Sequence, residues 1–275
     1  MQSKSCVKTW RAIYSQNRCT GVCLELLKQE KGVNKLVVNM DGMERIKTYV
    51  QGLDERIEGG IPKGHVVLVC GCAGSMKSSF VFNILWNMAK ENKGKCLYIT
   101  LEEKRPLIER RMQKIGRNIK EVEDNLTIID LGYLRKEIAD AGLEEMDWMK
   151  SMEAQIKNFH DLMGFNIVAL DSLNALYAIA NMKNPRDDLF HFFELMRDLG
   201  MTAFLISEME PERTKFGIYG IEDFLADGII HLDLRRSDMN VNLYVSVIKM
   251  RETKHERKYF PLIIGRDNKF EIVIK

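Results

Sequence analysis

The sequence lacks any apolar run that approaches the roughly 20 residues a helix needs to cross a bilayer, and its polar N-terminus lacks the apolar segment of a signal peptide. It also has little net charge, since 41 Lys and Arg residues face 39 Asp and Glu residues and leave +2. That balance excludes a bulk attraction to nucleic acid or to anionic lipid. The three tryptophans are scattered and offer no stacking platform for single-stranded nucleic acid. We therefore expect a cytoplasmic protein with no membrane partner, for which nucleic-acid binding is an alternative that is not favoured.

The six cysteines include no C-x-x-C pair, which is typical of reduced thiols in an intracellular protein. Cys19 and Cys23 are four residues apart, so a helix would place both on one face, where they could share a metal with Cys6. No histidine lies nearby to complete such a site. We favour the interpretation that these are small buried side chains without a metal.

The stretch from Gly71 to Ser78 has the sequence Gly-Cys-Ala-Gly-Ser-Met-Lys-Ser. This is the spacing of a phosphate-binding loop of the Walker A type, G-x-x-x-x-G-K-[ST], except that Met76 stands at the second glycine. Small residues in such a loop let successive backbone amides turn inward around phosphate oxygens. Lys77 would reach the outer phosphates, and the Ser78 hydroxyl would bind Mg²⁺. A methionine where a positive φ is required costs about 1 kcal/mol of strain.

The loop therefore predicts nucleotide binding, and Met76 leaves hydrolysis open. The predicted nucleotide-binding residues are Gly71, Cys72, Ala73, Gly74, Ser75, Met76, Lys77, Ser78 and Ser79.

The segments around this loop predict an α/β fold. Residues 66–70 form a short apolar run typical of a strand buried on both faces, and residues 78–90 predict a helix with Gly94 as its terminator. Downstream, predicted strands alternate with predicted helices, which indicates a mostly parallel sheet with helices on both faces. The last strands, at 228–234, 242–250 and 259–274, are predicted to be antiparallel. The alternating strands are predicted at 95–101, 126–130, 165–170 and 202–206, and the helices between them at 106–115, 143–164 and 186–199.

Acidic residues follow two of the predicted parallel strands, at the sheet edge where open α/β sheets bind ligands. Asp171 follows an apolar run, the Walker B pattern, in which a carboxylate holds Mg²⁺ directly or through water. Glu102 and Glu103 follow another strand, where a carboxylate could orient or deprotonate an attacking water. The alternatives are structural. Asp171 or Ser172 would cap a helix, and the two glutamates would lie in a solvated first helical turn.

Together these motifs resemble the KaiC-type branch of the RecA superfamily of P-loop ATPases, a group that also includes archaeal RadA paralogs. The resemblance covers residues 46–275 and implies a RecA-like ATPase domain there. Residues 1–45 precede it, and their pattern predicts two short helices and so a helical N-terminal extension. The resemblance is carried by Gly59-Gly-Ile-Pro-Lys-Gly64, the phosphate loop, Tyr98-Ile-Thr-Leu-Glu-Glu103, Val168-Ala-Leu-Asp-Ser-Leu173, Gly220-Ile-Glu-Asp-Phe-Leu-Ala-Asp-Gly-Ile-Ile230 and Lys249-Met-Arg-Glu-Thr-Lys-His255.

The resemblance also implies roles for individual residues. Glu102 matches the catalytic glutamate of the family, and Asp171 matches its Mg²⁺-site aspartate. Lys249, Arg251 and His255 match residues that reach the γ-phosphate bound by the neighbouring subunit of a ring. A residue supplied by a partner in this way can add roughly 10³–10⁵ in rate. Without the resemblance, residues 249–258 would be interpreted as a charged hairpin turn in water.

The function expected from the sequence is that of a regulatory or signalling ATPase that uses ATP and Mg²⁺. It would act as a homo-oligomer, such as a hexameric ring, together with an unidentified protein partner. Lys77, Glu102, Lys249 and Arg251 would carry catalysis. Two alternatives stay open: a DNA-repair or recombination accessory ATPase of the RadA-paralog type, and a nucleotide-binding scaffold without turnover, for which Met76 is the argument.

Overall fold

The computed structural model describes residues 42–132, 147–180, 182, 184–209, 215–237 and 239–274. The predicted N-terminal extension, residues 1–45, lies outside these ranges except for its last four residues, so the proposed domain boundary stays a prediction. The possible metal site at Cys6, Cys19 and Cys23 lies outside them too.

The strands of the described ranges, in chain order, are β1 (Arg45–Ile46), β2 (Val50–Gln51), β3 (Ile61–Pro62), β4 (Val66–Gly71), β5 (Cys96–Thr100), β6 (Leu126–Asp130), β7 (Ile167–Asp171), β8 (Thr202–Glu208), β9 (Gly228–Ser237), β10 (Asn240–Met250), β11 (Phe260–Ile264) and β12 (Phe270–Ile272). The α-helices of the same ranges are α1 (Lys77–Lys90), α2 (Arg105–Lys114), α3 (Trp148–Met163), α4 (Leu173–Ile179), α5 (Pro185–Asp198) and α6 (Glu222–Leu225). Short 3₁₀ helices lie at Asp54–Ile57 and Ile119–Glu121.

A single sheet of the described residues contains ten of these strands, in the order β2-β12-β11-β10-β9-β4-β8-β7-β5-β6. The six strands from β9 to β6 in this order run parallel. Strands β10, β11 and β12 continue the sheet in antiparallel fashion, and β2 is parallel to β12. Strands β1 and β3 pair separately. The predicted α/β class, with a mostly parallel sheet and antiparallel C-terminal strands, is confirmed.

Helices cover both faces of the parallel strands. Every residue of β4 is buried, and alternate residues of a strand point to opposite faces. Val67 and Val69 belong to the apolar cluster beneath α1 and α2, so Leu68 points to the other face. There α4 and α5 pack against β8. The near-continuous apolar strands of the sequence follow from this double coverage.

The structure shows which residues end helices α1 and α3. Helix α1 ends at Lys90 as expected, but Asn92, with φ of 54°, takes the left-handed conformation that follows it, and Gly94 lies beyond the terminator. Helix α3 ends at Gly164, where φ is 70°. Its described part begins after Asp147, whose side chain accepts a hydrogen bond from the Lys150 amide. Within the described ranges, no helix is long and apolar enough to cross a membrane.

Candidate active site

The phosphate loop joins β4 to α1 at the carboxyl edge of the parallel strands. At Gly71, the last residue of β4, an added Cβ would lie 2.2 Å from the Leu232 carbonyl oxygen, so no larger residue fits there. Met76 has φ of 65° and ψ of 21°, the left-handed conformation that the second glycine of the pattern would adopt without strain. The loop therefore keeps its glycine-type backbone although a methionine occupies the position, at a cost of about 1–2 kcal/mol.

Helix α1 starts without a side-chain cap. Its N-cap residue, Met76, has no oxygen to accept from the first amides, and the first turn of α1 contains no acidic residue. Those amides, together with the helix dipole, form an anion-binding site. Residues Lys77 and Ser78 follow directly in this first turn.

Lys77 is folded onto the loop and is only 7% exposed. Its Nζ donates to the carbonyl oxygens of Gly71 at 2.9 Å and Cys72 at 3.0 Å. Burial lowers the pKa of Lys77, and the carboxylates of Glu208 and Asp171 oppose that effect. The lysine is thus a desolvated cation surrounded by acidic groups, beside the uncapped helix start.

Asp171 ends β7 and pairs with Thr100 of the neighbouring strand β5. The adjacent Ser172 is the residue that caps α4, because its Oγ accepts from the Ala175 amide at 3.2 Å. The capping role that was an alternative for Asp171 therefore belongs to Ser172. Asp171 Oδ2 instead accepts a hydrogen bond from the hydroxyl of Tyr98.

Glu102 and Glu103 lie in the bend between β5 and α2, ahead of the first helical turn. Glu103 forms an ion pair with Arg111, whereas the side chain of Glu102 lies in the field of the phosphate-loop charges. Burial, then the negative charge of Glu208, raises the pKa of Glu102, and Lys77 partly opposes this. A carboxylate with a raised pKa beside a phosphate loop is typical of a general base.

Lys249 and Arg251, the cations predicted to reach a γ-phosphate, lie far from the phosphate loop of their own chain. Met250, between Lys249 and Arg251, pairs with Gly228 at the start of β9, and this pair lies beside the start of β4. The phosphate loop leaves the opposite end of β4, whose six residues span about 17 Å. The structure therefore brings Lys77, Ser78, Asp171 and Glu102 together but separates them from Lys249 and Arg251.

Lys249 and Arg251 both bind oxygen atoms of α6 or of the two residues that follow it. Lys249 Nζ donates to the carbonyl oxygens of Asp223 at 2.9 Å and Ala226 at 2.6 Å. Burial, then the charge of Arg251, lowers the pKa of Lys249. Arg251 Nη1 pairs with Asp227 Oδ1 at 2.7 Å, while half of its side chain stays exposed. Lys249 is part of β10, so the interpretation as a solvated hairpin turn does not apply to it.

His255 lies in the connection from β10 to β11. Its Nδ1 is buried and has no hydrogen-bond partner among the described residues. Burial, then the positive charge of Arg257, lowers the pKa of His255.

Comparison with known proteins identifies the family, because residues 46–275 match the family described as "ATPase: KaiC". The chain belongs to the KaiC family of ATPases. A UPF0273 protein of Aeropyrum pernix is 30% identical over 228 residues, which cover 81% of this chain and 91% of the relative. The circadian clock protein KaiC3 of Synechocystis is 27% identical over 85% of this chain, but the chain spans only 46% of that relative's length.

Solved structures agree with this family assignment. A KaiC-like protein from the archaeon Pyrococcus horikoshii has a TM-score of 0.72 to this chain at 27% identity, over 84% of this chain and 100% of the other. The KaiC-type resemblance and the RecA-like fold inferred from the sequence are thereby confirmed.

The structure of this KaiC-family chain adds a carboxylate that sequence reasoning missed. Glu208 ends β8 and pairs with Gly71 at the base of the phosphate loop. Its charge acts on both Lys77 and Glu102. The rule that selected Asp171, an acidic residue at the carboxyl end of an apolar strand, would have selected Glu208 as well.

Proposed function

We propose that this chain binds ATP with Mg²⁺, hydrolyses it, and acts as a homo-oligomer in which a neighbouring copy completes each site. The observation that carries the proposal is the juxtaposition of Lys77, Asp171 and Glu102 around the uncapped start of α1. Phosphoryl transfer needs little covalent chemistry from the protein and depends on positioning and on stabilisation of charge. A cation, a metal-binding carboxylate and a base at one helix terminus are the groups that this reaction uses.

Both parts of a nucleotide fit this edge of the sheet. The phosphates fit the anion site formed by the first amides of α1, where Gly71 leaves room for the backbone to approach closely. Beside Met76, a cavity of about 570 Å³ lies against β10 and β11 and includes Leu243, Leu262 and Phe270 in its lining. Its apolar walls and its size suit an aromatic base. We assign the base of the nucleotide to this cavity.

The site residues then have separate tasks. Lys77 moves from the loop carbonyls to the outer phosphates, and Glu102 orients and deprotonates the attacking water. Ser78 and Asp171 hold the metal. Phosphate oxygens and water would supply the remaining ligands of the metal, as Mg²⁺ prefers. When bound, Mg²⁺ neutralises charge on the phosphate oxygens.

The position of Lys249 and Arg251 supports completion of the site in trans. About 17 Å of sheet separates them from the phosphate loop of their own chain, so they cannot act there without refolding of the sheet. Arg251 is held in place by Asp227 and keeps half of its side chain exposed, as a residue that reaches a neighbouring subunit requires. His255 would accompany them.

A regulatory or signalling role is the finer part of the proposal. Its support is the similarity to a protein named as a circadian clock protein, of which this chain spans less than half. In this view, an oligomer such as a hexameric ring changes its conformation with the bound nucleotide, and a protein partner binds one of these conformations. The RadA-paralog alternative relies on loops after β8, and residues 210–214 of that region lie outside the described ranges.

The test is ATP turnover with Mg²⁺ across a series of protein concentrations, with bound nucleotide measured in parallel. Lys77→Ala should abolish turnover by disabling the phosphate loop, and Arg251→Ala should abolish it by disabling the contact in trans. Lys258→Ala, an exposed cation of the same loop, is the matched control. In an oligomer with heterologous interfaces, an equal mixture of the two inactive variants should regain roughly a quarter of wild-type turnover, because intact loops then meet intact arginines.

Each outcome separates the alternatives. Turnover per subunit that rises with concentration and returns in the mixture supports the proposal. Stoichiometric binding without turnover at any concentration would favour the scaffold. Turnover without recovery in the mixture would refute completion in trans. Salt-sensitive binding to single-stranded DNA would favour the RadA-paralog function.

A further inference from the structure

We propose that Tyr98 is a positioning residue of the magnesium site, which orients Asp171 through its buried hydroxyl. The inference rests on the proposed function, because it concerns how the metal-holding carboxylate of that site is aligned. Tyr98 itself does not touch the metal or the nucleotide.

The topology places this hydroxyl beside Asp171 and beneath α1. Tyr98 of β5 pairs with Ala169 of β7, and Asp171 lies two residues further along the same strand. Residues two apart in a strand share a face, and Tyr98 and Ala169 both belong to the apolar cluster beneath α1. The side chains of Tyr98 and Asp171 therefore lie between the sheet and α1, whose first turn contains Ser78.

Tyr98 is held rigidly in this position. It is fully buried, and its ring meets that of Phe82 of α1 edge to face, with 5.4 Å between centroids. Its hydroxyl donates to Asp171 Oδ2.

The direction of this bond suits a cation. A tyrosine hydroxyl has one proton, and here Asp171 accepts it. Asp171 uses Oδ2 for Tyr98 and keeps Oδ1 for a metal or its bound water. Outer hydrogen bonds of this kind commonly orient metal ligands.

Packing alone would not require the hydroxyl, since a phenylalanine ring fills the same space between β5 and α1. The oxygen atom is the part of Tyr98 whose role can be tested separately.

The test is Tyr98→Phe, and Tyr177→Phe is its matched control. Tyr177 is also a buried tyrosine whose hydroxyl bonds a carboxylate, that of Glu222 at 3.0 Å, but the proposal gives it no part in the magnesium site. For wild type and both variants, binding of a non-hydrolysable imido analogue of ATP is measured while Mg²⁺ is titrated, and again in EDTA. Circular dichroism and thermal unfolding check that each variant folds.

For Tyr98→Phe we expect a rise of about 10-fold or more in the Mg²⁺ concentration that gives half of the Mg²⁺-dependent gain in analogue binding. The reason is that a hydrogen bond to a charged group is lost. Its nucleotide affinity in EDTA should stay within about twofold of wild type. Tyr177→Phe should lose thermal stability, because the buried Glu222 carboxylate then loses its phenol donor and keeps its bonds from the Tyr219 and Ile221 amides, and it should keep the wild-type Mg²⁺ dependence.

Two results would overturn the proposal. In the first, Tyr98→Phe keeps the wild-type Mg²⁺ dependence. In the second, it weakens binding equally with Mg²⁺ and in EDTA, as a purely structural role predicts. Failure of the proposed function would look different, because wild type would then not bind the analogue, or Lys77→Ala would bind it as wild type does.

Discussion

Substitution of Asp227 tests how the fold positions Arg251, the arginine proposed to reach a neighbouring subunit. The Asp227 carboxylate accepts from Arg197 Nε at 3.0 Å, from Arg251 Nη1 at 2.7 Å and from the Val66 amide at 3.0 Å. It therefore ties α5, the end of β10 and the start of β4 together. Asp227→Asn removes the charge and keeps the shape, so the change isolates the electrostatic part of this junction.

The structure sets the size of the expected effect. The Asp227 side chain is 9% exposed and that of Arg197 is 23% exposed, so this ion pair is mostly buried. Breaking a fully buried pair costs roughly 3–5 kcal/mol, and the partial exposure of Arg197 reduces our expectation to about 2–3 kcal/mol. Arg251, half exposed, adds little to stability. Arg251 would no longer be positioned by a charged partner in Asp227→Asn, and ATP turnover should fall for that reason.

The effect should depend on pH with a definite sign. Burial disfavours the charged carboxylate, but hydrogen bonds from Arg197 and from the Val66 amide outweigh burial, so the pKa of Asp227 lies below its ordinary value. A depressed pKa in the folded state stabilises the protein above the unfolded-state value, about 3.9, and this stability is lost as pH falls through the lower value of the folded state. The free energy of unfolding of wild type should exceed that of Asp227→Asn by a constant amount from about pH 7 to 5. This difference should become smaller below about pH 4.

The assay is urea unfolding followed by circular dichroism at several pH values. Asp198→Asn, at the exposed end of α5, is the control and should change the free energy of unfolding by less than about 0.5 kcal/mol. If Asp227→Asn lowers the free energy of unfolding at pH 7 by less than about 1 kcal/mol, the assignment of a buried ion pair is refuted. If the difference in free energy of unfolding between wild type and Asp227→Asn does not become smaller at low pH, the electrostatic explanation is refuted.

Two further predictions concern the site itself. Met76→Gly should be more stable to urea than Met76→Ala by about 1 kcal/mol, because alanine keeps the Cβ that strains the left-handed backbone; the reverse order would mean that this position is not strained. Glu102→Gln should lower kcat about 10²–10⁴-fold while nucleotide binding persists. Because burial and then Glu208 raise the pKa of Glu102, the acid limb of the pH–rate profile should move to lower pH in Glu208→Gln, and an unmoved limb would contradict a base role for Glu102.

The fold could be predicted to a large extent because its signals are local. The apolar run before the phosphate loop and the helical stretch after it are contiguous in sequence, and the structure has them as β4 and α1. Asp171 and Glu102 were found because parallel strands align their carboxyl ends, so position along each strand is enough to bring them to one edge. The left-handed backbone of Met76 was implied by the loop pattern alone.

Other features depend on which strands are neighbours. Glu208 matters because β8 pairs with β4 and so lies against the phosphate loop. The role proposed for Tyr98 depends on β5 lying beside β7 and beneath α1. The separation of Arg251 from the phosphate loop of its own chain follows from β10 running antiparallel to β9.

The sequence by itself determined the class of fold, the phosphate loop and the acidic residues at the strand ends, because spacing, periodicity and strand polarity act over a few residues. The tertiary structure alone decided which of these residues share a site, which carboxylates perturb Glu102, and that Lys249 and Arg251 face away from it. Those facts depend on the pairing of β4 with β8 and with β9, which lie far from β4 in the sequence. No local pattern encodes such pairing, since it is fixed only when the apolar faces of the whole sheet are buried together.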